Sequence, residues 1–336
     1  MLHLRLSFSL TVVDPIETLH SFEQIKLLAD ARRMAILRLL MAEPATLTQL
    51  AGDLKQSPAW IRHHIKMLEA AQLVELAEVR TTGTVTEKFY RARAGAFLLQ
   101  QLVLPKSKKP TVIFSGSHDL ALEGIAGHLS RRLVLLSLPV GSLDGLVHLR
   151  MGLCQVSGAH LLDPNGEYNT PYVRHLFPDR NVELITLANR TQGLMFAPGN
   201  PHSIQGMADL ARRNVRFVNR NRGSGTRLWL DTKLARLGLD PQHVNGYGRE
   251  VRTHSEAASL IASGKADLAL GLQAAAVQHG LAFLPLFEER YDLVLLRENE
   301  KPLAPLLEYL QTAAFRNELN LLAGYNPAHS GEQITL

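Results

Sequence analysis

LTQLAGDLKQSPAWIRHHIKML, residues 47–68, is the stretch that decides the fold of the N-terminal third. Leu47, Leu50 and Leu54 recur at three- and four-residue spacing, so residues 47–54 carry one apolar stripe, as a short helix does. Lys55-Gln56-Ser57 is a polar turn. Ser57 followed by Pro58 reads as a helix start. A serine hydroxyl caps the first turn, and a proline at the first helical position lacks only an N–H that has no partner there. Ile61, Ile65 and Leu68 form the next apolar stripe, opposite Arg62, His63 and Lys66. Working backwards, Ser21 is a plausible cap, and Ile25, Leu28, Ala29, Met34, Leu37, Leu40 and Met41 keep helical spacing up to Pro44. Working forwards, residues 73–79 and 85–92 read as two strands about a tip at Thr81-Thr82-Gly83-Thr84. Helix, helix, short turn, helix and β-hairpin is the α+β layout of a winged helix-turn-helix.

The charge distribution points the same way. The chain carries 36 Lys+Arg and 31 Asp+Glu, a formal net charge of +5. Residues 1–109 hold 15 of the basic and 10 of the acidic residues, and residues 110–336 hold 21 of each. The whole excess therefore lies with the helix-turn-helix, which makes a double-stranded DNA operator the expected partner. Residues 57–71 are the expected recognition helix, presenting Ser57, Trp60, Arg62, His63 and Lys66. Arg80, Thr81, Thr82 and Lys88 on the wing suit phosphate contacts.

Composition narrows the class further. At 336 residues the chain has room for two or three domains, and 46% hydrophobic residues suffice for a sizeable core. Apolar runs such as residues 133–138 fall far short of the roughly 20 residues that span a bilayer, so no membrane partner is expected. Residues 2–10 (LHLRLSFSL) alternate apolar and polar, as a half-buried strand does and a secretory leader does not. The single cysteine, Cys154, leaves no intrachain disulfide and no thiolate metal cluster, so no metal site is expected. The expected location is cytoplasmic.

Residues 106–110 (KSKKP) form a basic linker, and beyond them strands and helices alternate. Strands are expected at 112–114, 133–138, 182–187, 193–197, 215–218, 268–270 and 293–296. Helices are expected at 120–131, 204–213, 226–237 and 256–263. The alternation predicts a mostly parallel α/β sheet. Three strand–turn–helix junctions are rich in Gly and Ser: residues 115–121 (SGSHDLA), 139–145 (PVGSLDG) and 219–227 (NRNRGSGTR). Small residues there let backbone N–H groups approach an anion at the positive end of a helix, and the third junction adds three arginines. It has neither the lysine and spacing of a phosphate-binding P-loop nor the three spaced glycines of a dinucleotide site. His118-Asp119 reads either as a catalytic dyad or, for Asp119, as a helix cap. Cys154 reads as a nucleophile or as a packing residue.

Residues 20–104 resemble the ArsR-type winged-helix repressors. The resemblance is carried by LLADARRMAILRLL (27–40), LTQLA (47–51) and HHIKMLEAAQLV (63–74). It implies a homodimer formed through the terminal helices, here residues 17–29 and 96–104. The cysteine pair and the Asp/His ligands with which such proteins sense metals are missing from residues 47–54 and 96–104, which places the sensor elsewhere. Residues 111–298 resemble the cytoplasmic periplasmic-binding-protein-like domains related to molybdate-binding proteins. The carrying residues include GSHD (116–119), GSLDGL (141–146), GAHLLD (158–163), PGNP (198–201), ASGKADLALG (262–271) and ERYDL (289–293).

That second resemblance implies a type II fold of two α/β lobes, with crossovers near 194–200 and 283–294 and a second lobe at 201–281. The domains are then 1–105, a linker at 106–110, and 111–336. It further implies that the ligand lies between the lobes. Ser115, Ser117, His118, Ser142 and His160 would reach it from the first lobe, and Arg220, Arg222, Ser224 and Thr226 from the second, with Arg190 a further candidate. The expectation is a non-enzymatic one-component regulator with no cofactor, sensing an oxyanion such as molybdate or tungstate. A small organic or phosphorylated anion, an enzyme on the same fold, and a solute receptor for transport are the alternatives.

Overall fold

A computed structural model describes residues 15–336, so the strand expected at residues 2–10 lies outside the described residues. By internal contacts the chain divides into two units, Met1–Val103 and Leu104–Leu336, and each is taken by itself.

In the first unit, β1 (Glu17–Leu19) precedes α1 (Phe22–Leu28) and α2 (Ala31–Ala42). The continuous helix expected up to Pro44 is therefore broken. Asp30 breaks it, because its carboxylate accepts from the N–H groups of Arg32 (2.8 Å) and Arg33 (3.4 Å) and starts α2 afresh. Ser21 occupies the cap position of α1 without a side-chain cap bond. After β2 (Ala45–Thr46), α3 (Leu47–Leu54) opens with a reciprocal capping box: the Gln49 N–H donates to Thr46 Oγ1 and the Thr46 N–H to Gln49 Oε1. Lys55, at φ 52°, turns the chain toward α4 (Pro58–Ala70), whose cap Ser57 accepts from the Trp60 N–H at 3.2 Å. β3 (Val74–Thr82) and β4 (Val85–Ala92) pair antiparallel about Gly83 to form the wing. The core of Ile36, Leu37, Leu40, Leu50, Ile61, Ile65 and Leu68 packs the two helix stripes together.

The terminal helix expected at residues 96–104 does not form. Instead β5 (Phe97–Leu99) lies parallel to β1, with Glu17 opposite Phe97. The segment is confined between Gly95 and Pro105, too short to be a stable helix. Pairing with β1 satisfies its backbone, as in Glu17 N–H to Ala96 O and Gln100 N–H to Leu19 O.

The second unit is a two-lobed α/β domain. Its first lobe contains β6 (Thr111–Gly116), α5 (Leu120–His128), β7 (Val134–Pro139), α6 (Ser142–Arg150), β8 (Val156–Ala159) and α7 (Thr170–Leu176). The long strand β9 (Val182–Phe196) crosses to the second lobe, which holds β10 (Phe217–Arg220), α8 (Gly225–Arg236), β11 (Glu250–Val251), α9 (His254–Ala262), β12 (Leu268–Leu272) and α10 (Gln273–Gln278). The equally long β13 (Ala282–Leu296) returns. It is followed by α11 (Glu300–Leu310), α12 (Ala313–Asn320), β14 (Tyr325–Asn326) and β15 (Gln333–Thr335), the last two pairing with β9.

The sheet order is β11-β10-β12-β9-β13-β8-β6-β7. Parallel pairs occur within each lobe, but every pair involving β9 or β13 is antiparallel. The sheet is thus mixed rather than mostly parallel, because the crossover strands run in opposite directions through its centre. The two strands expected at 182–187 and 193–197 are one. What separates them in the sequence is the polar stretch Asn189-Arg190-Thr191-Gln192, yet Arg190 and Gln192 are fully buried. The same holds for β13, of which only residues 293–296 were expected and whose polar part includes the buried Glu289 and Asp292. The helix expected at 204–213 is only a 3-10 turn, Met207–Ala211.

Candidate ligand cleft and nucleic-acid face

The two lobes of the second unit close directly on one another. The Leu143 N–H donates to Gly223 O at 3.1 Å, and Asn221 Nδ2 donates to Val140 O. Gly225, the first residue of α8, sits so tightly on His160 that a Cβ there would lie 2.3 Å from the His160 carbonyl. Only glycine permits that approach.

Between the lobes the structure gathers polar side chains that are wholly shielded from solvent. Arg190, at the middle of β9, pairs with Asp119 (2.6 Å) and with Glu289 of β13, and its guanidinium lies 4.1 Å from the centre of the Tyr291 ring. Asp119 also caps α5 and accepts from the Tyr325 hydroxyl at 2.6 Å. Glu289 Oε2 meets His160 Nδ1 at 2.6 Å, His160 Nε2 meets Ser117 Oγ at 3.0 Å, and Ser117 meets Ser142 Oγ at 2.9 Å. Burial pushes the Glu289 carboxyl up, but His160 and Arg190 outweigh it and hold the group down at about 2. Burial pushes His160 down more than Glu289 raises it, which favours the neutral ring. With Glu289 ionised, His160 donates from Nδ1 and accepts at Nε2. The proton order is then Ser142 to Ser117 to His160 to Glu289.

Arg220, at the end of β10, is the counterpart from the second lobe, with 1% of its surface exposed. Its guanidinium meets His254 Nε2 at 2.7 Å and the Arg252 carbonyl at 2.9 Å, both uncharged partners. Burial together with the nearby Arg190 charge pushes its pKa down to about 10. Burial, then Arg220 and Arg190, hold His254 well below its ordinary 6.5, so the ring beside Arg220 is neutral. Arg220 Nε and Gln192 Oε1 are buried without a hydrogen-bond partner, while Gln192 Nε2 donates to Thr226 Oγ1 at 3.0 Å. Among the described residues no carboxylate lies within ion-pair distance of Arg220. Two buried guanidinium groups thus differ: Arg190 is neutralised twice, and Arg220 is not neutralised.

The expected site residues divide accordingly. Ser117, Ser142, His160, Arg190, Arg220 and Thr226 lie in this buried assembly. Ser115 is buried but bonded to His148 on α6, and His118 is bonded to the exposed Glu123. Ser224 caps α8 through the Arg227 N–H. Arg222 departs most: its side chain is 87% exposed and sits 3.8 Å from Glu250, because the turn after β10 carries it outward while β10 itself points Arg220 in. Asp119, read from the sequence as half of a dyad or as a cap, serves as the cap of α5, and Gln192, His254, Glu289, Tyr291 and Tyr325 were not expected as site residues. For Arg190, Gln192 and Glu289 the available signal is an interior of charged and amide residues in an otherwise apolar strand pattern. Burial pushes the Cys154 thiol up to about 12, which fits a packing residue.

On the first unit, Arg62, His63 and Lys66 project together from the exposed face of α4, opposite its buried stripe. Thr81, Thr82 and Lys88 are exposed on the wing, where Arg80 pairs with Glu78 and lies over Phe89. Trp60 is half-buried against His64, and Ser57 is engaged as the cap.

Comparison with known proteins gives two family matches: the bacterial regulatory protein, arsR family, over residues 30–75, and the PBP superfamily domain over residues 126–311. The chain is 38% identical over 229 residues to the Bacillus subtilis (strain 168) protein YvgK, covering 67% of this chain and 74% of that one. It is also 38% identical over 109 residues, 32% of this chain, to 96% of a Clostridium pasteurianum protein from the 5′ region of a 2Fe-2S ferredoxin gene. Among solved structures, that of the tungstate ABC transporter from Geobacter sulfurreducens aligns at 14% identity and a TM-score of 0.45, over 63% of this chain and 97% of its own.

Proposed function

This chain belongs to the PBP superfamily and carries an ArsR-family helix-turn-helix ahead of that domain, and from this premise we propose that it is a homodimeric, cytoplasmic one-component transcription regulator triggered by a small anion. The observation that carries the trigger is Arg220. An enclosed guanidinium with only neutral partners is costly to bury, and an anion entering as the lobes close supplies the missing charge. Gln192 and Thr226, bonded to each other, and the N-terminus of α8 are further polar groups of the same cleft. A bare oxyanion such as molybdate or tungstate and an anionic organic molecule both satisfy this requirement.

Because the ligand touches both lobes, it binds the closed form more tightly than an open one. That difference in affinity is the free energy available for changing operator binding. On the DNA side, Arg62, His63 and Lys66 enter the major groove and the wing holds the backbone. Operator affinity is measured with the whole chain, with and without each anion that raises its melting temperature. Equal affinities at saturating ligand would overturn the regulator mechanism.

One contact order favours a second reading, an enzyme. Ser117, His160 and Glu289 follow one another as nucleophile, base and orienting acid do in acyl transfer. Stoichiometric labelling of Ser117 by a fluorophosphonate would establish that reading. Its failure, alongside reversible anion binding, leaves the serine as a hydrogen-bonding group.

A further inference from the structure

A pocket of about 220 Å³ opens beside this assembly, and its lining includes His160 and Glu289. One wall comes from the first lobe and carries Tyr168 and Tyr172. A second wall comes from α8 and β13 and carries Trp229 and Phe287, stacked on each other at 3.9 Å and 16°. The hydroxyls of Tyr168 and Tyr172 are already engaged with the carbonyls of Glu288 and Leu162, so what these residues offer is ring surface. At roughly 30 Å³ per water the space holds about seven waters. A tetrahedral oxyanion of five heavy atoms leaves much of it unfilled and gains nothing from four aromatic rings.

Two basic side chains line the pocket. Lys233 and Arg236 reach it from α8, and neither has a carboxylate within ion-pair distance among the described residues. Of the two acids there, Glu289 is paired with Arg190 and His160, and Asp163 accepts from the N–H groups of Asn165 and Glu167 and closes its own turn.

We propose that this pocket is a ring-binding subsite, and that the ligand is an organic anion: a compact planar ring system bearing a carboxylate or phosphate. The ring lies between the tyrosine wall and the Trp229–Phe287 wall, Lys233 and Arg236 draw the anion in, and its acidic group is the one that neutralises Arg220. This rests on the reading of the domain as an anion sensor and narrows its ligand class. Aromatic contact supplies selectivity for a flat molecule, and because the two walls belong to different lobes, the ring itself favours closure.

The chain contains only two tryptophans, Trp60 and Trp229. In a Trp60→Phe variant of the full chain, Trp229 therefore reports on the pocket alone. The probes are quinoline-2-carboxylate and phenyl phosphate as flat anions, cyclohexanecarboxylate as a non-planar one, and molybdate as a bare oxyanion. The flat anions are expected to change Trp229 emission saturably and to raise the melting temperature. Cyclohexanecarboxylate is expected to bind at least tenfold more weakly. A Thr232→Trp variant, which fills the pocket from α8, is expected to lose the flat anions. Stabilisation by molybdate with Trp229 emission unmoved, and with no stabilisation by the flat anions, overturns the ring subsite and leaves the anion sensor standing. No response to any of the four at millimolar concentration overturns both.

Discussion

Two arginines only two residues apart have opposite environments, and the difference is testable. Arg220 is enclosed with neutral partners, whereas Arg222 faces solvent. A hydrogen bond from a charged group contributes about 1.5–3 kcal/mol, so Arg220→Gln is expected to weaken binding of the stabilising anion ten- to hundredfold. Arg222→Ala is expected to leave it within about twofold of the wild type, a change of less than about 0.5 kcal/mol. Titration calorimetry on the two variants separates them; equal losses would discard the assignment. The buried titratable groups give the pH dependence. His160 and His254 are held below 6.5 in the folded chain, so the unfolded chain takes up protons first and stability falls as pH drops through that value. Glu289, at about 2 against an ordinary 4.5, contributes stability that is present above 4.5 and is lost as pH falls toward 2. Melting temperature is therefore expected to fall progressively from pH 7 to pH 4. A flat profile would mean that the histidines are not buried neutral.

At the level of elements, α4 joins the packing of the first unit to its expected function. Ile61 is completely buried on its inner face, and Ile61→Ala is expected to destabilise the helix-turn-helix by about 2–5 kcal/mol, read by denaturant unfolding. On the outer face, Lys66→Ala is expected to leave stability within about 0.5 kcal/mol of the wild type. It would weaken operator binding and reduce the salt slope by about one, as removal of a single phosphate contact does. An unchanged slope would take Lys66 off the interface. The start of α4 was legible here because a cap and an apolar repeat are local signals, as at Ser57. Asp30 carried such a signal too, but the longer apolar repeat from Ile25 to Met41 masked it. The pairing of β5 with β1 was not legible, since strand partners nearly 80 residues apart leave no mark in either segment.

For the ligand-binding domain as a whole, the decisive property is closure. Gly225 rests on His160, and Gly141, at φ 114°, faces Gly223 across the lobes with room for no Cβ. Gly225→Ala is expected to hold the lobes apart: at least tenfold weaker anion binding, an unchanged circular dichroism spectrum, and a larger radius of gyration by small-angle scattering. Unaltered binding would show that closure tolerates the methyl group. The sequence by itself determined the helix-turn-helix and the glycine-rich strand–turn–helix junctions of the second unit, because periodicity, caps and glycine turns act over a few residues; the two lobes followed from the resemblance to binding-protein domains. Ser117, Ser142 and His160, which that resemblance named for the first lobe, are brought together in the structure. Tertiary structure alone decided which charges meet. Arg190 finds Asp119 71 residues away and Glu289 99 residues away, while Arg220 is left with neutral neighbours. Pairing across a sheet is set by register and by what the closing lobes exclude from water, and neither is written in any one stretch of chain.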